Sequence, residues 1–231
     1  METINFIRTG SYSSYSSAEA FKNVYSQDQK MAGYIYGLAL SQFLWPNHYE
    51  MFSFYLKQCD KIKNSISRYL EIGPGHGLYL AHSIEKMPNA DITAVDISPA
   101  SIKITRDVLD SFYGDQAKYR LECKDVHEMA DSSYDFIVMG EVLEHVDDPS
   151  HILKKLHSVL IDDGYLFVTT CANCPAIDHV YLYDGVAAIR DQLESCGFRI
   201  VDDLALALSD RPEEEWKSRK ELVNYAALLT K

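Results

Sequence analysis

Three glycines follow a short apolar run in residues 69–77, whose sequence is Tyr-Leu-Glu-Ile-Gly-Pro-Gly-His-Gly. The apolar run predicts a buried strand, and the residues from Leu78 onward are patterned like a helix. Glycine adopts positive φ easily and lets a ligand approach the backbone closely. Because Gly73, Gly75 and Gly77 fall at the turn from strand to helix, the sequence predicts an α/β fold with a nucleotide-type cofactor at this turn.

The spacing of these glycines distinguishes between kinds of nucleotide site. A dinucleotide-binding turn has the form Gly-x-Gly-x-x-Gly, whereas the third glycine here comes one residue early. A phosphate-binding P-loop needs Gly-Lys-Ser/Thr after the turn, and this chain has none there. The carboxylate of Glu71, beside the turn, suits a cofactor with hydroxyl groups and positive charge. From this turn alone, a glycine-rich loop without a ligand stays the alternative.

From residue 68 onward, short apolar runs alternate with helical patterns, which is typical of a βαβ sheet. We predict strands at Tyr69–Ile72, Ile92–Asp96, Tyr119–Cys123, Phe136–Met139, Tyr165–Thr170, Phe198–Val201 and Leu222–Leu229. We predict helices near Leu78–Lys86, Ala100–Phe112, Ser150–Leu160 and Gly185–Ser195. Turn residues precede the second, fifth and sixth strands, at 88–89, 162–164 and 196–197. The charged residues 211–215 predict a solvated bend before the last strand.

The first 67 residues do not follow this alternation. They contain seven of the chain's 16 tyrosines. Helical patterns cover Ala18–Leu44 and His48–Ile66, and Pro46 predicts a break between them. We therefore predict an N-terminal helical lid or cap region, 1–67, before a cofactor-binding domain, 68–231. The aromatic side chains either pack against the sheet or close over bound ligands as a lid.

The charge of the chain argues against polyanionic partners. Its 22 basic and 34 acidic side chains give a net charge of −12. Nucleic-acid binding depends on basic clusters, so we predict no nucleic-acid partner. No apolar run approaches the ~18 residues that span a membrane, and the N-terminus lacks a secretory signal pattern. We therefore predict a cytoplasmic location and no membrane partner.

The five cysteines predict reduced thiols rather than a disulfide framework. Cys171 and Cys174 form a single Cys-x-x-Cys pair. A structural zinc site would need a second pair at suitable spacing, but the other three cysteines are scattered singly. The sequence therefore predicts no metal site.

Two further carboxylates follow predicted strands. Asp96 ends the second strand, where an acidic residue can accept hydrogen bonds from both ribose hydroxyls of a nucleoside. Ile97 beside it could flank the base. Asp125 follows the third strand, next to Val126. The alternatives are a helix N-cap role for Asp96 and a simple turn role for Asp125.

A longer motif follows the fourth predicted strand. Residues 139–149 read Met-Gly-Glu-Val-Leu-Glu-His-Val-Asp-Asp-Pro. Glu141 and His145 are four residues apart and would share one face of a helix if the segment is helical. The second histidine of the zinc motif His-Glu-x-x-His is missing. A packed, hydrogen-bonded His145 is favoured over a catalytic one.

Taken in order, these motifs resemble those of the class I S-adenosylmethionine-dependent methyltransferases, in the branch that acts on small molecules. The resemblance rests on Glu-x-Gly-x-Gly-x-Gly, Asp96, Asp125 and the segment Met139–Val146. It implies a Rossmann-like, seven-stranded, mostly parallel sheet with a terminal antiparallel strand and an N-terminal helical extension. It also implies S-adenosylmethionine as cofactor, S-adenosylhomocysteine as product, and a methyltransferase domain over 68–231.

The resemblance assigns cofactor contacts to particular positions. Asp96 matches the ribose position and Ile97 the adenine position, while Asp125 matches the position that meets the adenine amino group. The segment Met139–Glu141 matches the one that borders the methionine end. The predicted cofactor-binding residues are Glu71, Gly73, Pro74, Gly75, Gly77, Asp96, Ile97, Asp125, Val126, Gly140 and Glu141.

The acceptor site is predicted beyond the fifth strand, because ligands in such sheets bind at the carboxyl ends of the strands. A base is needed only when the nucleophile arrives protonated. His179 is the first candidate base, with Asp178 as its orienting partner and His145 as a further candidate; the alternative is that 178–179 simply begin a helix. The predicted acceptor-binding residues are Tyr12, Tyr15, Tyr34, Tyr181 and Tyr183.

Three functions stay open from the sequence. The favoured one is an enzyme that methylates O, N or C of a small molecule, with secondary metabolism as a candidate setting. The second is a family member that binds the cofactor but has lost or changed methyl transfer. The third, an NAD-dependent oxidoreductase, is disfavoured by the glycine spacing. The motifs specify neither the acceptor nor the oligomeric state.

Overall fold

A seven-stranded sheet organises the chain. The computed structural model describes residues 2–14, 16–20, 22, 28–114, 118–129 and 133–231, without the side chains of 28–32 and 34. The strands are β1 Arg68–Ile72, β2 Asp91–Asp96, β3 Arg120–Cys123, β4 Tyr134–Gly140, β5 Leu160–Ala172, β6 Arg199–Ala207 and β7 Val223–Thr230. The helices are α1 Glu2–Thr9, α2 Ser17–Ala20, α3 Asp28–Leu44, α4 Pro46–Ile62, α5 Leu78–Lys86, α6 Pro99–Tyr113, α7 Pro149–Val159, α8 Val186–Ser195 and α9 Glu213–Arg219. Short 3-10 turns lie at Lys63–Ser65, Val126–Glu128 and Leu143–His145.

The strand order is β3-β2-β1-β4-β5-β7-β6. The strands from β1 to β5 pair in parallel, whereas β7 runs antiparallel to both β5 and β6. The predicted Rossmann-like, mostly parallel sheet with an antiparallel final strand is confirmed. That final strand lies inside the sheet, between β5 and β6, rather than at its edge.

Helices cover both faces of the sheet. Successive side chains of a strand point to opposite faces, so each central strand contributes to two hydrophobic cores. In β4, Ile137 and Met139 pack into a core with α7 and α8. Phe136 and Val138 pack into a second core with α4, α5 and α6. No helix in the described ranges has the length and apolar character needed to cross a membrane.

Strands β5 and β6 show the largest extensions beyond their predicted ends. Strand β6 continues past Val201 because the two aspartates that follow have partners on neighbouring elements. Asp202 accepts a hydrogen bond from Gln58 at 2.8 Å, and Asp203 pairs with Arg190 at 2.8 Å. Strand β5 begins at Leu160, and the predicted turn at 162–164 is a bulge in the pairing with β4.

The predicted bend at 211–215 is wrong in its detail. An exposed helix, α9, begins at Glu213 and includes all three glutamates of the run in its first turn. Carboxylates are favourable there because the N-terminal end of a helix carries partial positive charge. The charged run is solvated, as predicted, but helical.

The N-terminal region is helical on either side of the predicted break. Trp45 is extended, with φ −104° and ψ 118°, and Pro46 occupies the first turn of α4. This agrees with the restriction that proline places on the preceding residue. Of the predicted helix Ala18–Leu44, the structure describes helix at 18–20 and 28–44, and residues 21 and 23–27 lie outside the described residues. Helix α1 was not predicted.

Candidate active site

A cavity of about 480 Å³ opens at the carboxyl ends of β1, β2 and β4. Strands β1 and β4 are neighbours although β2 and β3 lie between them in the chain, so the strand order reverses here. Such reversal points are where open α/β sheets bind ligands. The volume is within the range of small-molecule sites.

The glycine turn forms one wall of the cavity. Gly73 has φ +66°, and a Cβ atom built on it would lie 2.9 Å from Val142 Cγ2. Gly77 has φ +74°, and its Cβ would lie 3.3 Å from Thr105 Cγ2. The Thr105 hydroxyl donates to the Gly75 carbonyl at 2.9 Å. Gly73 and Gly75 line the cavity with Pro74, whereas Gly77 packs behind it against α6.

Gly73→Ala should destabilise the chain more than Gly75→Ala. Both positions have left-handed φ, but a Cβ on Gly75 meets nothing nearer than 3.8 Å. We expect losses of unfolding free energy of about 2–4 kcal/mol for Gly73→Ala and about 1–2 kcal/mol for Gly75→Ala, because only the first adds a steric clash to the backbone strain. Urea denaturation without ligand measures both. Equal losses would contradict the close packing of Gly73 against Val142.

Asp96 is held at the end of β2 with its carboxylate in the cavity wall. One oxygen accepts from the backbone N–H of Ser98 at 2.8 Å and the other from the Ser101 hydroxyl at 2.5 Å. Burial raises the pKa of Asp96. The N-cap of α6 is Ser98, not Asp96, because the Ser98 hydroxyl accepts from Ser101 N–H. Ile97 also lines the cavity and is 54% exposed.

Asp125 makes a turn hydrogen bond and also lines the cavity. Its carboxylate accepts from His127 N–H at 2.9 Å, which caps the following 3-10 turn. Asp125 and Val126 also line the cavity. His127 stacks on His151 with ring centroids 4.0 Å apart, and both rings line the same wall. The sequence analysis did not predict that these two histidines are in contact.

The segment after β4 reaches the cavity through a tight turn rather than an α-helix. Gly140 and Glu141 line the cavity, and Glu141 has a left-handed φ of 51°. Its N–H donates to the Thr169 carbonyl at 3.0 Å. The chain then makes the 3-10 turn Leu143–His145. Glu141 lines the cavity just before this turn, and His145 lines it at the end of the turn. The segment is not an α-helix, so the two residues do not share a helix face.

Glu144 points inward beside Glu141. It is fully buried, and one carboxylate oxygen accepts from the Thr170 hydroxyl at 2.8 Å. In the described part of the chain, its other oxygen and one oxygen of Glu141 are buried without a hydrogen-bond partner. Burial raises the pKa of Glu144 to about 7 and that of Glu141 well above its usual range, where the adjacent Glu144 adds to the effect.

The three predicted catalytic residues lie together, but only His145 lines the cavity. Its Nδ1 lies 3.0 Å from the Asp178 carbonyl and 3.6 Å from the Asp178 carboxylate. Asp178 and His179 are buried beneath, with His179 Nδ1 2.6 Å from the Cys174 carbonyl. Burial lowers the pKa of His179 to about 4. Asp178 is thus in position to orient His145, and the catalytic roles stay predictions.

Glu71 is buried beside the glycine turn and does not line the cavity. Its carboxyl accepts from the Tyr69 hydroxyl at 2.5 Å. Burial raises the pKa of Glu71 to about 8. The structure therefore places this residue behind the cofactor wall, next to the core that α4 and α5 share with the sheet.

The described tyrosines predicted to bind the acceptor do not line the cavity. Tyr12 is buried, and its hydroxyl accepts from Cys174 N–H at 3.0 Å. Tyr181 and Tyr183 pack edge to face, and Tyr183 bonds to a side chain of α8. Tyr15 and the side chain of Tyr34 lie outside the described residues. Acceptor binding by these residues stays a prediction, and the structure gives the described three a packing role.

The N-terminal helices close the opposite side of the cavity. Their contribution was missed because nothing in the local sequence distinguishes these side chains from others on the same helices. The lining residues from α2, α3 and α4 are Ser17, Ile35, Leu38, Gln42, His48 and Met51.

The cavity fits a nucleoside cofactor with a cationic tail. Gly73 leaves room where a Cβ would clash, and Asp96 offers carboxylate oxygens to hydroxyl groups of a ligand. Ile97 and Val126 supply apolar surface for a flat base, and Glu141 supplies a buried carboxylate further along. Apart from Glu71 and Gly77, every predicted cofactor-binding residue lines this cavity.

Comparison with known proteins gives the same assignment. The family model described as "Methyltransferase domain" matches residues 47–211. The ubiquinone biosynthesis O-methyltransferase of Xanthomonas euvesicatoria pv. vesicatoria is 36% identical over 112 residues, which cover 48% of this chain and 45% of that protein. The match therefore spans about half the length of the curated relatives.

Solved structures share the fold at low identity. An O-methyltransferase from a trans-AT PKS multienzyme of Brevibacillus brevis, in complex with S-adenosylhomocysteine, has a TM-score of 0.60 at 16% identity, covering 83% of this chain and 78% of that one. The cyclase SpnF has a TM-score of 0.59 at 14% identity, covering 76% and 80%. The family model, the sheet and the cofactor wall agree, and the chain belongs to the class I S-adenosylmethionine-dependent methyltransferase family.

Proposed function

We propose that this chain transfers a methyl group from S-adenosylmethionine to a hydroxyl oxygen of a small-molecule acceptor. The observation that carries the choice of oxygen is the polar floor of the cavity, which is defined by the lining residues Glu141 and His145. A hydroxyl needs groups that bind it and take up its proton, whereas an amine can arrive unprotonated. The Xanthomonas relative and the Brevibacillus structure are both named O-methyltransferases, which supports this choice.

When bound, S-adenosylmethionine supplies an electrophilic methyl group on a sulfonium. The protein contributes mainly by position, because holding two reactants at attack distance supplies much of the barrier reduction. Asp96 would hold the ribose and Asp125 the adenine edge. The N-terminal helices, through Gln42 and Met51, exclude water from the opposite side.

The hydroxyl proton would leave toward the polar floor. A hydroxyl acceptor that takes up the methyl group would have to lose its own proton, because the ether product carries none on that oxygen. Of the three predicted catalytic residues, His145 lines the cavity. Its Nδ1 is within hydrogen-bond distance of the Asp178 carbonyl. A carbonyl only accepts, so the neutral ring carries its lone pair on Nε2.

Methyl transfer to a panel of acceptors tests the proposal. The full-length chain is incubated with methyl-labelled S-adenosylmethionine and matched phenols, catechols, amines and carbon acids, and products are identified by mass and fragmentation. We expect methyl ethers from the hydroxyl acceptors. Methylated amines or carbon acids would contradict the choice of oxygen. Tight S-adenosylhomocysteine binding with no product from any acceptor would favour a member that has lost transfer, and bound NAD would overturn the family function.

Several finer expectations belong to this proposal. The N-terminal region 1–67 would act as a cap, since α3 and α4 contribute side chains to the cavity wall. The boundary at 67, motion of this cap, a cytoplasmic location and a role in secondary metabolism stay predictions. The name of the Xanthomonas relative supports ubiquinone biosynthesis as another setting for the same chemistry.

A further inference from the structure

Two cysteines meet where β5 ends and the following loop begins. Cys171 lies in the strand, paired with Asn224 of β7, and Cys174 lies three residues further on. The two Sγ atoms and a ring nitrogen of His179 all lie within 4.8 Å of one another. Both cysteines are free thiols in this structure. We call Cys171 and Cys174 the thiol pair.

The backbone of the loop brings the thiol pair together. Asn173, between the two cysteines, has a left-handed φ of 53°, which turns the chain sharply after the strand. Asparagine tolerates this conformation better than most residues do. The Asn173 N–H donates to the Tyr183 carbonyl at 3.1 Å, and its side-chain amide donates to the Glu221 carbonyl at 3.2 Å. Because these bonds hold the turn, the fold itself imposes the proximity of the two sulfurs.

The two thiols differ in their access to solvent. Cys171 is fully buried, whereas Cys174 is partly exposed. The hydrogen bond to Cys174, together with burial, raises the pKa of Cys171 well above its usual range, so this thiol keeps its proton. An oxidant therefore meets Cys174 first, because the oxidation of a cysteine depends on access. Cys171, directly behind it, is in the position of the thiol that closes a disulfide.

We propose that the thiol pair is a modification site, which hydrogen peroxide oxidises reversibly to an intramolecular disulfide. In the first step the Cys174 sulfur attacks a peroxide oxygen, the O–O bond breaks, and a sulfenic acid and water form. In the second step the Cys171 sulfur attacks the Cys174 sulfur, the S–O bond breaks, and the hydroxyl group leaves with the Cys171 proton as water. The pair loses two electrons and two protons, and the peroxide is reduced to two molecules of water. A dithiol reverses the reaction by thiol–disulfide exchange.

The disulfide would act on the contact between the N-terminal region and the loop after β5. Bonded sulfurs are only about 2.05 Å apart, so closure moves Cys174 toward the strand. The Cys174 N–H donates to the Tyr12 hydroxyl at 3.0 Å, and its carbonyl accepts from His179 Nδ1 at 2.6 Å. Tyr12 and His179 also pack edge to face, with ring centroids 5.7 Å apart. A displacement of Cys174 therefore disturbs both of these contacts.

The same loop supports the polar floor of the cavity. The Asp178 carbonyl lies 3.0 Å from His145 Nδ1, and Asp178 follows Cys174 by four residues. Cys174 itself does not line the cavity, and the cofactor wall belongs to other elements. We therefore expect the oxidised chain to bind S-adenosylhomocysteine as the reduced chain does, but to transfer methyl groups about 10- to 100-fold more slowly, since a displacement of about 1 Å can cost about 100-fold in rate. This slower transfer rests on the proposed function; the disulfide does not.

Peptide mapping of the full chain tests the modification site directly. The protein is treated with hydrogen peroxide, the remaining thiols are blocked with N-ethylmaleimide, and tryptic peptides are measured without reductant. One tryptic peptide, 156–190, contains both cysteines of the pair and no other cysteine. We expect this peptide to lack both blocking groups, to weigh two hydrogens less than its reduced form, and to regain both thiols after dithiothreitol. A reduced Cys171 beside an oxidised Cys174, or a cross-link from either cysteine to another peptide, would overturn the proposal.

Variants connect the disulfide with the loss of transfer. Cys171→Ala and Cys174→Ser each remove one partner, and neither should show the loss of methyl transfer that dithiothreitol reverses. Cys123→Ser is the matched control, because it removes an exposed thiol at the end of β3 and should cross-link and respond to peroxide as the wild type does. Calorimetric binding of S-adenosylhomocysteine shows that each variant is folded. A reversible loss in Cys171→Ala equal to that in the wild type would contradict control by the disulfide.

The two proposals fail in different ways. A cross-linked peptide from a chain that methylates no acceptor would overturn the proposed function and leave the modification site standing. Methyl transfer by a chain whose Cys171 stays reduced under peroxide would do the reverse.

Discussion

Asp96→Ala lowers the affinity for S-adenosylhomocysteine by about 100-fold or more. The carboxylate is in the cavity wall at the end of β2, and we propose that it accepts hydrogen bonds from two ribose hydroxyls of the cofactor. A hydrogen bond to a charged group contributes about 1.5–3 kcal/mol, and two such bonds are lost together. Isothermal titration calorimetry at fixed salt measures the change.

Ser101→Ala is the matched control for this result. The Ser101 hydroxyl donates to the Asp96 carboxylate, so its removal disturbs the same loop but leaves the carboxylate in place. We expect a loss below about tenfold, because the carboxylate that would contact the ribose is kept and only one of the groups that orient it is removed. Equal losses in the two variants, or an unchanged affinity in Asp96→Ala, would show that Asp96 does not contact the ribose.

Glu71→Gln stabilises the chain, and increasingly so as the pH rises. Burial raises the pKa of Glu71 to about 8, so the folded chain keeps this carboxyl protonated while the unfolded chain ionises it from about pH 4.5 upward. Folded wild type therefore loses stability between these two values, and the loss is complete above pH 8. Glutamine has no proton to lose, and its carbonyl oxygen still accepts from Tyr69.

The expected difference in unfolding free energy between Glu71→Gln and wild type is near zero at pH 4.5 and about 2–5 kcal/mol at pH 8.5. Urea denaturation of the ligand-free proteins at several pH values measures it. Glu50→Gln, on the exposed surface of α4, is the control and should show no such trend. A difference that is independent of pH, or one that falls with rising pH, would contradict a protonated Glu71 in the folded chain.

The sheet could be predicted because its strands follow local rules. Each central strand is a short apolar run that ends at a polar or glycine turn, as at Ile72 and Asp96. Strand β6 was predicted too short because Asp202 and Asp203 resemble a strand end. Their partners Gln58 and Arg190 come from distant elements, which a local pattern does not contain.

More of the predicted cofactor-binding residues than of the predicted acceptor-binding residues line the cavity, for a related reason. The residues of the cofactor wall sit in turns directly after strands, where sequence position fixes spatial position. The opposite wall consists of side chains from α3 and α4, such as Gln42 and His48, whose place depends on how those helices pack. His127 and His151 likewise meet only after α7 docks beside the turn that follows β3.

The polar floor shows the limit of motif spacing. The sequence would place Glu141 and His145 on one face of a helix, whereas Glu141 has a left-handed φ and the 3-10 turn Leu143–His145 follows it, with Glu144 buried. The Cys-x-x-Cys pair can be recognised in the sequence because its two cysteines have a short, fixed spacing. His179 joins Glu144 through the loop after β5, which no fixed spacing encodes.

The packing of α3 has a consequence for local unfolding. Among the described side chains, Ile35 of α3 is buried with Ile104 of α6, in a small cluster separate from the two cores of the sheet. Exposing two such side chains costs about 3–6 kcal/mol, which is at or below the total stability of an ordinary domain. Amide hydrogens of α3 should therefore exchange with solvent by local opening, on a faster timescale than those of β4, while the sheet stays folded.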